Sequence, residues 1–117
     1  MKYKQLVENL PVWNQFLNVE LAAEYIDPIV TMHHTLMEEL NFIAQEKKSL
    51  IEKYNGRIDS GVVVIDNKED VDKYNADIEY LMDSEINIEP IVINSVNIGS
   101  KISPALAITL KDLVRII

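Results

Sequence analysis

One apolar position recurs every seven residues through the first half of the chain: Ala22, Ile29, Leu36, Ile43 and Leu50. That spacing is the mark of an α-helix, since seven residues complete two turns to within about 20°. A second series lies four residues after the first, at Ile26, His33, Leu40, Lys47 and Tyr54, and is interrupted by His33 and Lys47. Asn55-Gly56 then closes the segment, since both residues tolerate the left-handed conformation that ends a last turn. Asn18 is placed to cap the start, with Glu20 where the helix dipole favours an acid. The pattern therefore predicts a helix from Val19 to Lys53, some 35 residues and roughly 50 Å long. A stripe of that length needs an equally long cover, either from helices of the same chain or from another copy. Pro28 lies inside it, and either kinks the helix or is the first residue of a new one capped by Asp27. Because the periodicity continues through it, a kink or brief interruption is the preferred reading.

The flanks are shorter. Leu6, Val7, Leu10, Trp13, Phe16 and Leu17 share one helical face, but Pro11 lacks an amide proton and restrains its predecessor. A helix ending near Asn9 and a new turn begun at Pro11 are expected. Trp13 and Phe16 are either core anchors or an exposed docking pair. Arg57 to Ser60 reads as a loop. Gly61-Val62-Val63-Val64-Ile65 reads as a strand, being short and β-branched. Asp66 or Asn67 caps a further helix, with Glu69 in position for a capping box and Val71, Tyr74, Ile78, Leu81 and Met82 along one side. Ile86-Asn87-Ile88-Glu89 alternates, and Ile91-Val92-Ile93 is a buried-strand run. Pro90 between them makes this strand an edge or a bulged one. Ser103-Pro104 starts a last helix, Ala105 to Ile117, carrying Leu106, Leu110, Leu113, Ile116 and Ile117.

The fold class expected is α+β, predominantly helical. It has a long helix or helical hairpin in the N-terminal half, a small two-stranded antiparallel ribbon and a C-terminal helix. The long helix is expected to pack on the Glu69–Met82 and C-terminal helices, and Gly61–Ile65 to pair with part of Ile86–Ile93; without that pairing the chain is all helical. At 117 residues, 48% of them hydrophobic, residues 1–117 make one small domain rather than two.

Function is constrained mostly by exclusion. There is no cysteine, which removes disulfides, thiolate nucleophiles and cysteine-held zinc and fits a reducing compartment. No signal peptide and no run of about 20 apolar residues is visible, so membrane insertion is not expected. Nineteen acidic against eleven basic side chains give a charge of -8, which disfavours nucleic-acid backbones and anionic lipid but suits a basic protein surface, or mimicry of nucleic acid. Adjacent His33 and His34 point about 100° apart on a helix and cannot jointly hold a metal without help from elsewhere. Glu38 could share a face with His34, yet the repeated spacing of a diiron bundle is missing. A hydrogen-bonded core or interface histidine accounts for His33. Asp66 to Asp72 lacks the central glycine of a calcium loop. The isolated glycines, and Ser49, Ser60, Ser84, Ser95, Ser100 and Ser103, have no phosphate-loop or nucleophile-elbow setting. Lys47, Lys48, Lys53 and Arg57 complement the end of a helix dipole. No cofactor or metal is implied, and the chain reads as non-catalytic.

The order of its segments is more specific than any of them alone. Lys48-Ser49-Leu50-Ile51-Glu52-Lys53-Tyr54-Asn55-Gly56 is followed by Tyr74-Asn75-Ala76-Asp77-Ile78-Glu79-Tyr80-Leu81-Met82. Then come Glu85-Ile86-Asn87-Ile88-Glu89-Pro90-Ile91 and Ile102-Ser103-Pro104-Ala105-Leu106. From Val19 onward this resembles a family of small proteins of tailed bacteriophages and prophages. Its members show a "LIEKYG"-like helix end, an "FxxExxELL" helix, an "EVELxIxPI" strand and a final helix introduced by "LSPxxLxxL". This chain departs in its Trp13 region, its His33-His34 pair and the asparagines around Asn94 and Asn97. The resemblance implies a phage protein of the host bacterial cytoplasm, incorporated into the virion or not, and carries over no catalytic residues. Among roles open to a phage protein, the apolar seam and the apolar C-terminus favour a virion, tail or assembly component that contacts a second copy or another phage protein. The alternative is an early inhibitor of a host or anti-phage defence protein, acting by acidic mimicry of nucleic acid. The residues expected to carry contacts are Trp13, Phe16, Ile29, Leu36, Leu40, Ile43, Leu50, Leu110 and Leu113.

Overall fold

A computed structural model gives the structure of residues 1–99 and 102–117; Ser100, one of the isolated serines, lies outside the described residues. The chain runs α1 (Tyr3–Phe16), α2 (Ile26–Lys53), β1 (Arg57–Asp59), β2 (Val62–Val64), α3 (Lys68–Asp83), β3 (Ile91–Ile93), α4 (Pro104–Leu110) and β4 (Val114–Ile116). It is a mixed α+β fold, mostly helical, with a long helix in its first half, a small antiparallel two-stranded sheet and a C-terminal helix.

The seam of α2 is covered by two shorter helices laid end to end. Near one end of α1 the Tyr3 hydroxyl donates to Glu39, and near the other Trp13 bonds to His33, so α1 runs antiparallel to the first half of α2. The second half meets α3, where Tyr54 and Lys53 both reach Asp77 and Tyr54 lies edge-on to Tyr74. The two cover helices adjoin where Lys2 bridges Glu85 and the Tyr3 amide donates to the Ser84 carbonyl. The lengths agree: 14 and 16 residues of cover against 28 of α2, or roughly 21 plus 24 Å against 42 Å. Thus the cover expected of the C-terminal helix comes from α1. Helix α4 packs on α1 instead, where the Asn9 amide reaches the Thr109 carbonyl.

Several boundaries differ from the sequence reading. Helix α1 is continuous through Pro11. Pro11 and Val7, whose carbonyl loses its amide partner, both face solvent, where water can serve that carbonyl. Helix α2 begins at Ile26 rather than Val19, after a 3-10 turn at Ala23–Tyr25. Pro28 falls in its first turn, where no intrahelical amide is required, so it neither kinks nor interrupts the helix. Asn18 caps nothing; its side chain donates back to the Asn14 carbonyl. The segment after α1 instead pairs with the chain's later part, through the Leu21–Ile98 bridge and the Gly99 amide on the Glu20 carbonyl.

The end of α2 forms as expected. Asn55 takes φ 54°, the Asn55 amide bonds to the Glu52 carbonyl, and the Gly56 amide to that of Ile51, satisfying two of the orphan carbonyls of the last turn. Arg57–Ser60 is not a plain loop. Arg57–Asp59 pairs antiparallel with Val62–Val64 across Ser60-Gly61, both at positive φ, the turn geometry that matches strand twist. The β2 strand therefore pairs with its neighbour and not with Ile86–Ile93. Asn67, not Asp66, caps α3, accepting from the Glu69 and Asp70 amides. The last helix stops at Leu110, and Val114–Ile116 pairs parallel with Ile91–Ile93. Parallel pairing supplies the buried β3 run with partners that a helical end could not.

Candidate docking surface

The residues expected to carry contacts are mostly spent on the chain's own core. Trp13, Phe16, Leu36, Leu110 and Leu113 are fully buried, Ile29 and Ile43 nearly so, and Leu40 and Leu50 are half-buried. The core gathers α1, α2 from Ile29 to Ile43, β3, α4 and β4, with Leu6, Ile93 and Val114 fully buried in it. No residue of α3 is fully buried.

Polar groups inside this packing are matched. Trp13 Nε1 donates to His33 Nδ1 at 3.1 Å, and the two rings lie nearly parallel with centroids 6.4 Å apart. His33 is thereby fixed as the tautomer with its proton on Nε2, and its place on the seam is that of a hydrogen-bonded histidine. His34 stands edge-on to it, 6.5 Å away. Tyr3 donates to Glu39 at 2.7 Å; burial, then the hydrogen bond and charge of that carboxylate, push the phenol up to about 12. At the far end, the Tyr54 hydroxyl, with help from Lys53, holds Asp77 below the usual carboxylate range. Among the described residues no cluster of three or more His, Asp or Glu side chains is placed to hold a metal. No described helix is long and apolar enough to cross a membrane.

A groove of about 470 Å³ lies between the start of α2 and the segment before β3. One wall is a single face of α2: Asp27, Pro28, Thr31, Met32 and Thr35. Helical periodicity puts these five residues in adjacent rows. Asn87, Ile88, Glu89 and Ile91 form the other wall. Its floor is apolar and its ionisable side chains are carboxylates, with no basic residue in either wall. Among the described residues, neither amides nor carbonyls of Asn87, Ile88 and Glu89 have a hydrogen-bond partner. Pro90 separates this stretch from β3, and Ile86–Glu89 belongs to no ladder although its side chains alternate between buried or half-buried and exposed.

None of these groove residues is among those the sequence was expected to use for contacts, although Asp27, Pro28, Asn87, Ile88, Glu89 and Ile91 were read there as parts of a helix start and a strand. Two signals pointed there: an apolar Met32 flanked by Thr31 and Thr35 on a helix otherwise divided into apolar and charged faces, and a β-like stretch closed off by Pro90. Comparison with protein-family models, with curated proteins and with solved structures finds no match to this chain.

Proposed function

We propose that this chain is a non-catalytic phage protein that acts by contact with other proteins, as a virion, tail or assembly component. The observation that carries the contact reading is its surface. The accessible area is 7792 Å², against about 6,500 Å² for a compact monomer of this mass. The radius of gyration is 17.8 Å, against about 13 Å for a compact chain of this length. An elongated body stabilised by tandem helices exposes more surface than its own folding requires, and Ile26, Val30 and Met37 form an exposed apolar row along α2. Such a row suits a partner. The order of segments that resembles small phage proteins supplies the setting.

The test is deletion of the gene in the phage or prophage that encodes it, with complementation in trans. Loss of finished particles, with the protein present in virions or in purified assembly intermediates, is the expected result. Normal particle yield with reduced growth only on particular host strains overturns it in favour of the inhibitor. Mimicry of nucleic acid has less support from the charges, because Asp66, Asp77 and Asp83 lie within ion-pair distance of Arg57, Lys53 and Lys4 of the same chain.

A further inference from the structure

The groove beside α2 combines features that together specify an occupant. Its floor, from Pro28, Met32, Ile88 and Ile91, is apolar, and its charged rim is Asp27 and Glu89. The cation of the adjoining β3–β4 pair is Arg115, which pairs with Val92 and so projects from the sheet face opposite to Ile91. Main-chain groups of Asn87, Ile88 and Glu89 lack partners among the described residues, and side chains alternate between buried or half-buried and exposed over Ile86–Glu89; unpaired backbone with that alternation is a template for a further strand.

We infer that this groove takes an extended segment of a partner protein in which a bulky apolar side chain alternates with lysine or arginine. The segment lies alongside Asn87–Glu89 and shares main-chain hydrogen bonds with them. Its apolar side chain fills the space over Met32 and Ile88, and its cations meet Asp27 and Glu89. A helical occupant would leave the Asn87–Glu89 backbone unanswered, and an acidic one would meet like charge on a chain of net charge -8. The inference rests on the protein-contact reading above and specifies the chemistry of one contact.

The experiment uses the whole chain and a fluorescently labelled peptide of alternating lysine and valine, followed by polarisation, with the glutamate–valine peptide as its control. The lysine peptide should bind saturably and the glutamate peptide should not. Asp27→Asn with Glu89→Gln should weaken binding about tenfold, the order expected from two partly exposed ion pairs. Hydrogen exchange should show the amides of Asn87, Ile88 and Glu89 gaining protection when the peptide is bound. Equal affinity for wild type and the double variant would reduce the effect to general charge attraction and overturn the inference. Bound peptide without protection at those amides overturns the strand-like mode. If the peptide fails while gene deletion still abolishes particles, the groove assignment falls and the assembly role stands.

Discussion

The Trp13–His33 pair makes a sharp test of the packing argument, because a fully buried indole N–H has a half-buried side chain as its acceptor. Trp13 is 0% exposed, and its Nε1–H donates to His33 Nδ1 at 3.1 Å. Replacing His33 by Phe keeps a ring stacked against the indole but removes the lone pair. The donor is then buried without a partner, at a cost of about 1–3 kcal/mol. For a domain of this size that corresponds to a fall in Tm of roughly 4–12 °C. His33→Asn, whose Oδ1 stands near the position of Nδ1, should recover part of the loss. A double-mutant cycle with Trp13→Phe separates the hydrogen bond from the ring packing. Once the N–H is gone, His33→Phe should cost little more, leaving a coupling of about 1–2 kcal/mol. Urea unfolding followed by far-UV circular dichroism measures all four proteins, including those without tryptophan. If His33→Phe costs the same with Phe at position 13 as with Trp, the hydrogen bond contributes nothing and the reasoning fails.

Tyr3 gives an alkaline signature: its folded-state pKa of about 12 exceeds the ordinary value near 10. The native state therefore keeps the proton more tightly, and this stability is present below about pH 10 and lost as pH rises towards 12. Alkaline unfolding of wild type should steepen in that window and Tyr3→Phe should lack that component; identical profiles would contradict it. Leu36→Ala, at a fully buried seam position, should cost about 2–5 kcal/mol, whereas Ile58→Ala on the hairpin, 66% exposed, should stay within about 0.5 kcal/mol. A comparable loss at both sites in urea titrations would mean the core is misplaced. Native-state hydrogen exchange should find amides near Leu50 opening at lower free energy than those near Leu36, although both lie in α2. Uniform protection along that helix would show the two ends to be one cooperative unit.

What the sequence disclosed follows from the range of the interactions that decide each feature. The stop at Asn55-Gly56, the cap at Ser103-Pro104 and the seam through Ile29, Leu36 and Ile43 are settled within a turn or two, by local conformational preference and helical period. All were legible. The start of α2 was not, because Ala22 falls in phase with the seam although the chain there is not α-helical. What fixes it is the pairing of Leu21 with Ile98, a contact without a local trace. Pro11 misled for a related reason: proline disrupts a helix where its missing bond cannot be replaced, and the outcome depended on whether that face meets water.

The same division separates the core from the groove. Val114-Arg115-Ile116 can end a helix or form a strand, and only Ile91–Ile93, with its own buried backbone to satisfy, decides for the strand. That decision draws Val114–Ile116 beside β3 and leaves the stretch before Pro90 with no ladder of its own. The groove exists because β3 is paired from Ile91 onward while Asn87–Glu89 is held beside α2 without being paired. The large apolar side chains expected to make contacts mostly lie in the chain's own core, because helical periodicity marks a face that needs cover without saying whether this chain or a partner supplies it. The groove proposed for a partner lies where regular pairing stops, beside Asp27 and Met32.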